Sequence, residues 1–361
     1  MRTYVLVCAL APLACTVEPD GRVTATSATA TMTTTAPMTD DTSPVTEETA
    51  SASSSETSNG SSSTAAADST STGEQKLDVG GMPTSGCNAI DLLFVIDNSA
   101  SMNTYQMALS AAFPSFIDAL WEALPADTNV HVGITTTDFG SPGCSGATEG
   151  TAACQSTAMA SEITMHYDTP ENAPSNINGA QGRLFEYSGQ NFFEASTNDD
   201  NGALETWFTG AATAAGENGC TFEMPVAAAG WAFTSPNVGE VNSTNDGFLR
   251  NEGTVLVLFY LTDEPDKSPE SVTIHRDRVL AAKQGCGGDQ PDDICVVTAG
   301  FIPSCTVDIN QKLWQLMIAF GEGEDEVRWG EITDTTAYDE LVGTVLADTI
   351  AEVCQAVPPV G

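Results

Sequence analysis

Residues 90–96 are apolar at every position except Asp91, which predicts a strand buried on both faces of a sheet. Tyr105, Leu109, Ala112, Phe116, Leu120 and Ala123 then recur at three- and four-residue spacing, predicting an amphipathic helix kinked at Pro114. Val130, Val132 and Ile134 alternate as a second strand. Beyond Phe139 the pattern dissolves into Gly, Ser, Asn and Thr as far as about Asn201, a long irregular insertion that carries Cys144 and Cys154. Regular spacing then returns. Helices are predicted near 204–215 and 222–233, a second buried strand at 255–261, a helix around 269–284, a strand at 294–299, a helix at 309–320 and a short strand at 327–332. A last helix is striped by Leu341, Val342, Val345, Leu346, Thr349, Ile350 and Val353. Strands alternating with helices predict an α/β domain: a doubly wound, mostly parallel sheet covered by helices, with a disulfide-containing insertion after its second strand.

The amino-terminal part reads differently. Arg2 followed by the apolar run 4–13 has the form of a secretory signal and is too short to span a bilayer as a mature helix. Leu13-Ala14-Cys15 resembles the bacterial lipobox, which makes Cys15 the candidate lipidated residue. Pro12 stands where that motif usually has Leu, so simple cleavage nearby is the alternative. From residue 21 to 73 there are 27 Ser or Thr in 53 positions and no aromatic side chain. Ordering each residue costs on the order of 1 kcal/mol, and this stretch has almost no apolar area to bury in return, so a flexible stalk is expected. The expected organisation is a signal peptide at 1–15, a disordered Ser/Thr-rich linker at 16–86 and one domain at 87–361.

Charge narrows the partners. The chain has 49 acidic and 11 basic residues, a net charge of −38, and such a surface repels nucleic acid and anionic lipid alike. Membrane association is therefore expected only through a lipid anchor. Eight cysteines follow the signal, at 87, 144, 154, 220, 286, 295, 305 and 354. There is no Cys-x-x-Cys, and the three histidines are scattered, so disulfides are expected rather than zinc. The connectivity is open, with Cys144 and Cys154 the favoured local pair because they share a loop.

The first buried strand runs directly into Asp97-Asn98-Ser99-Ala100-Ser101-Met102, an Asp-x-Ser-x-Ser loop ahead of a helix. The loops leaving neighbouring parallel strands meet at one sheet edge, so Asp97 should approach Asp263 in Leu261-Thr262-Asp263-Glu264. Two adjacent carboxylates repel unless a cation lies between them, and the hydroxyls of Ser99 and Ser101 add oxygens that a hard ion accepts. Mg²⁺ suits this set best, with Mn²⁺ or Ca²⁺ as alternatives. The competing reading is a turn at Asp97 with serines capping the helix.

The stretch 91–102, together with 261–264, resembles a von Willebrand factor A domain with its metal-ion-dependent adhesion site, over roughly residues 87–355. The resemblance implies an ion bound by Ser99 and Ser101, by Asp97 and Asp263 directly or through water, and by an acidic group from a partner. It also implies a threonine from the loop at 219–223. Thr221 is the nearest hydroxyl there, while helix register favours Cys220 and Glu223 could substitute.

Other acidic candidates have simpler readings. Asp138 is expected in a strand-ending turn and Asn198-Asp199-Asp200-Asn201-Gly202 in a solvated turn, because Phe208 stands where a calcium loop needs Glu. Trp207, Trp231 and Trp314 are assigned to the core. No Gly-x-Ser-x-Gly, His-Glu-x-x-His or phosphate-binding lysine loop occurs. The expected function is a non-enzymatic, exported, adhesion-type module at the cell envelope or surface, in the form of an outer-membrane lipoprotein, that binds a protein or glycan through its metal. The alternatives are an envelope scaffold without a working metal site and a hydrolase of unrecognised type.

Overall fold

The computed structural model describes residues 15–17, 23–25, 86–140, 144, 159–286, 295–320, 323–325 and 327–357. The chain divides into two units, Met1–Gln75 and Lys76–Gly361. In the first, β1 (Cys15–Val17) pairs antiparallel with β2 (Val23–Ala25), Cys15 lying opposite Ala25. The rest of the signal and nearly all of the Ser/Thr-rich linker, as well as Cys154, fall outside the described residues. Among the described residues no helix is long and apolar enough to cross a membrane.

The second unit is built on a six-stranded sheet of order β5-β4-β3-β6-β7-β8, comprising β3 (Ala89–Ile96), β4 (Asn129–Thr136), β5 (Phe192–Ser196), β6 (Thr254–Leu261), β7 (Val296–Ile302) and β8 (Arg328–Glu331). All neighbouring pairs are parallel except β4 with β5. The doubly wound, mostly parallel α/β class read from the alternating pattern is therefore the fold.

Period-two alternation along β3 divides the core. Leu92, Phe94 and Ile96 join one apolar cluster with α1 (Asn103–Ala123), α3 (Gly202–Ala214) and the C-terminal helices, whereas Leu93 and Val95 join another with α4 (Pro225–Trp231), α5 (Val272–Lys283) and α6 (Lys312–Met317). Phe94 anchors the first cluster, 4.6 Å from the Phe208 ring and 5.1 Å from Phe259. Burying such a side chain stabilises by about 1.5–3 kcal/mol. Trp207, Trp231 and Trp314 are all buried, as expected of core residues.

Four differences from the sequence reading have physical reasons. The insertion is less irregular than its composition suggests: it contains α2 (Ala160–Met165) and the antiparallel edge strand β5. An edge strand has one paired side only, so Glu194 and Ser196 interrupt the apolar signal. The helix expected at 309–320 is regular only over α6, because Asp308 first closes a turn by accepting the Asn310 N–H at 2.7 Å. The C-terminal helix comprises α7 (Tyr338–Glu340), a π-helical stretch Leu341–Leu346, and α8 (Ala347–Ala356). Finally, Cys144 pairs with Cys220, not with Cys154: the loop carrying Cys144 closes onto the segment before α4. Cys87–Cys354 and Cys286–Cys295 are also bonded, and Cys305 is in a disulfide.

Candidate metal centre

The register of the central strands sets the site. Ile96 lies opposite Leu261, so β3 and β6 end together, and the Asp97 N–H donates to the Leu261 carbonyl at 2.8 Å. Asp97 is fully buried. Its Oδ1 accepts the Ser99 N–H at 2.8 Å and its Oδ2 accepts the Thr262 hydroxyl at 2.8 Å. The Ser99 and Ser101 hydroxyls are 3.3 Å apart. Gln106, on the first turns of α1, donates to the Asp97 carbonyl at 2.9 Å and to the Gly216 carbonyl at 3.0 Å, tying the loop to the segment after α3. That segment approaches closely: the Gly219 N–H donates to the Asn98 carbonyl at 2.8 Å, and a Cβ at Gly219 would lie 2.2 Å from Asn98 Oδ1, so a side chain there would displace the loop.

Ser99, Ser101, Thr221, Glu223, Asp263 and Glu264 line one cleft of about 430 Å³, together with Tyr105, Pro303 and the segment 331–333. Of the residues singled out from sequence, Ser99, Ser101, Thr221 and Asp263 thus line a common space, whereas Asp97, fully buried, does not line it and is tied to it through the Ser99 N–H. Glu223, considered only as a substitute ligand, faces it too. Cys220 drops out as a ligand because its sulfur is bonded to Cys144. Asp138 closes a turn by accepting the Gly140 N–H at 2.6 Å, and Asp199 and Asp200 accept the N–H groups of Ser196 and Gly202 in an exposed turn, both as expected. Lys267 was not anticipated. Its ammonium bonds to Glu223, to Glu264 and, at 2.9 Å, to the Thr221 carbonyl.

Burial raises the carboxyl groups gathered here. Burial, followed by repulsion from Asp263, pushes Asp97 up to about 7. Burial raises Asp263 as well, opposed by a hydrogen bond from Ser101, and burial followed by the charge of Asp97 raises Glu223. Asp263 Oδ1 and Glu223 Oε1 are buried without a hydrogen-bond partner. A buried carboxylate oxygen left unpaired is costly, and an ion satisfies it. Among the described residues no three His, Cys, Asp or Glu side chains converge as a metal site. The donor set is instead two carboxylates and neutral hydroxyls, with Glu223 Oε1 in reserve, and it fits a hard divalent ion of the Mg²⁺ type.

The sign of the Asp97 shift gives a prediction. A carboxyl whose folded-state value lies above its ordinary 3.8 is ionised in the unfolded chain but still protonated in the fold, so its contribution to stability falls as pH rises from about 4 to about 7. Within that window the loss is at most about 1.4 kcal/mol per pH unit. In EDTA, Asp97→Asn is expected to gain stability relative to wild type between pH 5 and pH 7, read from thermal melts at the two pH values. A difference that stays constant with pH would refute the raised value assigned to Asp97.

No protein-family model and no curated protein matches the sequence. Among solved structures, a von Willebrand factor type A protein from Catenulispora acidiphila is similar at 14% identity and TM-score 0.34, over 73% of this chain and 43% of that one. The pilus adhesin SpaC from Lactobacillus rhamnosus GG, in its open conformation, matches at 12% identity and TM-score 0.38, over 74% and 30%. Proximal thread matrix protein 1 from the mussel byssus, in a form with a zinc-occupied MIDAS motif, matches at 9% identity and TM-score 0.35, over 74% and 49%. The chain spans less than half the length of each of these structures.

Proposed function

We propose that this chain is an exported, surface-presented binding module that captures a protein or glycan through a divalent cation, Mg²⁺ or alternatively Mn²⁺ or Ca²⁺, and carries out no turnover. Asp97, Ser99, Ser101, Thr221 and Asp263 hold the ion, which leaves a position open for an acidic group of the ligand. Cys15 is the proposed lipid attachment point, with the Ser/Thr-rich segment as the stalk. The observation that carries this reading is the buried pair Asp97 and Asp263: burial, and then repulsion from its neighbour, raises the first, and the second keeps an unpartnered oxygen.

The experiment is a thermal melt of the full chain, disulfides intact, in EDTA and then with each cation, beside Asp97→Ala. An ion present at a hundred times its dissociation constant stabilises by about 2.7 kcal/mol. At roughly 2–4 °C per kcal/mol for a domain of this size, wild type is expected to rise by several degrees and Asp97→Ala to remain where it was. A wild type indifferent to millimolar cation would remove the metal from this function and favour the scaffold alternative.

A further inference from the structure

Lys267 is not a surface lysine that happens to meet two acids. It is 3% exposed, on the loop that follows β6. Its backbone N–H donates to the Glu223 carbonyl at 2.9 Å. Its neighbours fasten the loop to the start of α4: Asp266 accepts the Val226 N–H at 2.9 Å and the Ser268 hydroxyl accepts the Ala227 N–H at 3.0 Å. The side chain therefore enters the cleft from a fixed position. An ammonium has three N–H groups, and three oxygens meet them here: one carboxylate oxygen each from Glu223 and Glu264, and the Thr221 carbonyl. Two carboxylates and a backbone carbonyl are also the oxygen types that a hard divalent ion selects. The second oxygen of the fully buried Glu223 has no partner, so a cation in the ammonium's place could take both oxygens of that carboxylate.

We propose that Lys267 is a tethered cation occupying a second cation position of the cleft, formed by Glu223, Glu264 and the Thr221 carbonyl, so that the native chain takes one divalent ion where its oxygens would otherwise hold two. The ammonium fixes the number of exchangeable ions and holds Glu223 in place beside Asp97. Only the count in the native chain rests on the function proposed above; the exchange of ammonium for ion does not.

The test counts Mn²⁺ bound per chain, by titration calorimetry and equilibrium dialysis at pH 7.5, in the full chain as wild type, Lys267→Met, Asp97→Asn and the double variant. Lys267→Met is expected to bind one ion more than its parent in both backgrounds: two against one, and one against none. Adding Glu264→Gln to Lys267→Met is expected to remove the extra ion. Unchanged counts on Lys267→Met would overturn the inference while leaving the Asp97 site intact. A wild type that binds none beside a Lys267→Met that binds one would do the reverse. If Lys267→Met melts early in EDTA, saturating Mn²⁺ should restore it towards wild type; a variant equally destabilised with and without Mn²⁺ would also overturn the inference.

Discussion

Replacing Cys87 and Cys354 together by alanine is expected to cost the second unit on the order of 5 kcal/mol. The bridge joins residues separated by 267 positions and so closes nearly the whole domain into one loop. In the chain-entropy picture, stabilisation grows with the logarithm of that length. Cys286–Cys295, separated by only 9 positions, should contribute about half as much by the same relation. The placement adds to the effect. Cys87 lies two residues before β3, the central strand that delivers Asp97, and its N–H donates to the Cys354 carbonyl of α8 at 2.8 Å. Cys354 is fully buried against the first apolar cluster. Urea midpoints of the Cys87→Ala/Cys354→Ala and Cys286→Ala/Cys295→Ala variants measure the two contributions separately, which reduction of every bridge at once would not. Equal shifts for the two variants would contradict the loop-length account.

What the sequence revealed of this fold follows from how each element is buried. β3 and β6 are covered on both faces, so nearly every position had to be apolar, and their continuous runs stand out without neighbours. β5 is short, paired on one side only and half-exposed, so its signal was lost among the polar residues of the insertion. The Asp97 loop was readable because a strand end followed by closely spaced oxygens is local in sequence. Lys267 was not, because its meaning depends on Glu223, 44 residues away, and no spacing rule connects a loop after β6 with one before α4. Disulfide partners are just as non-local: Cys144 and Cys154 are near neighbours in sequence, but the bond Cys144 makes is to Cys220, in the segment before α4. The usable signal at 219–223 was the coincidence of a hydroxyl, an acid and a cysteine in five residues, and the structure divides these among the cleft lining, the Lys267 pair and a disulfide.

Arg250→Ala is the second large effect expected, about 3–5 kcal/mol, because it strands a buried carboxylate. β3 carries one fully buried acid, Asp91, and runs directly into a second, Asp97. Asp91 accepts the Arg250 backbone N–H at 2.7 Å, its Nε at 2.8 Å and its Nη2 at 2.6 Å, and Nη2 also donates to the Ile90 carbonyl at 2.9 Å. His131 does not replace this partner: its Nδ1 is 3.5 Å from Asp91 but 2.8 Å from the Phe248 carbonyl, and burial lowers its basicity. Burial pushes Asp91 up to about 6 even with Arg250 opposing it. Without the guanidinium its folded-state value rises further, and a carboxyl raised in the fold loses stability as pH climbs towards that value, so the cost of Arg250→Ala should be greater at pH 8 than at pH 5.5. Asp91→Asn added to Arg250→Ala should abolish this pH dependence; a cost below 1 kcal/mol that does not vary with pH would show that Asp91 tolerates burial unaided. At Asp91 the chain supplies its own cation, and removing that cation destabilises; at Asp97 the carboxylate oxygens are met by a backbone N–H and a hydroxyl, both neutral, and Asp263 is set against it. Asp97→Asn in EDTA should therefore act with the opposite sign to Arg250→Ala as pH rises, since one substitution removes an uncompensated charge and the other creates one.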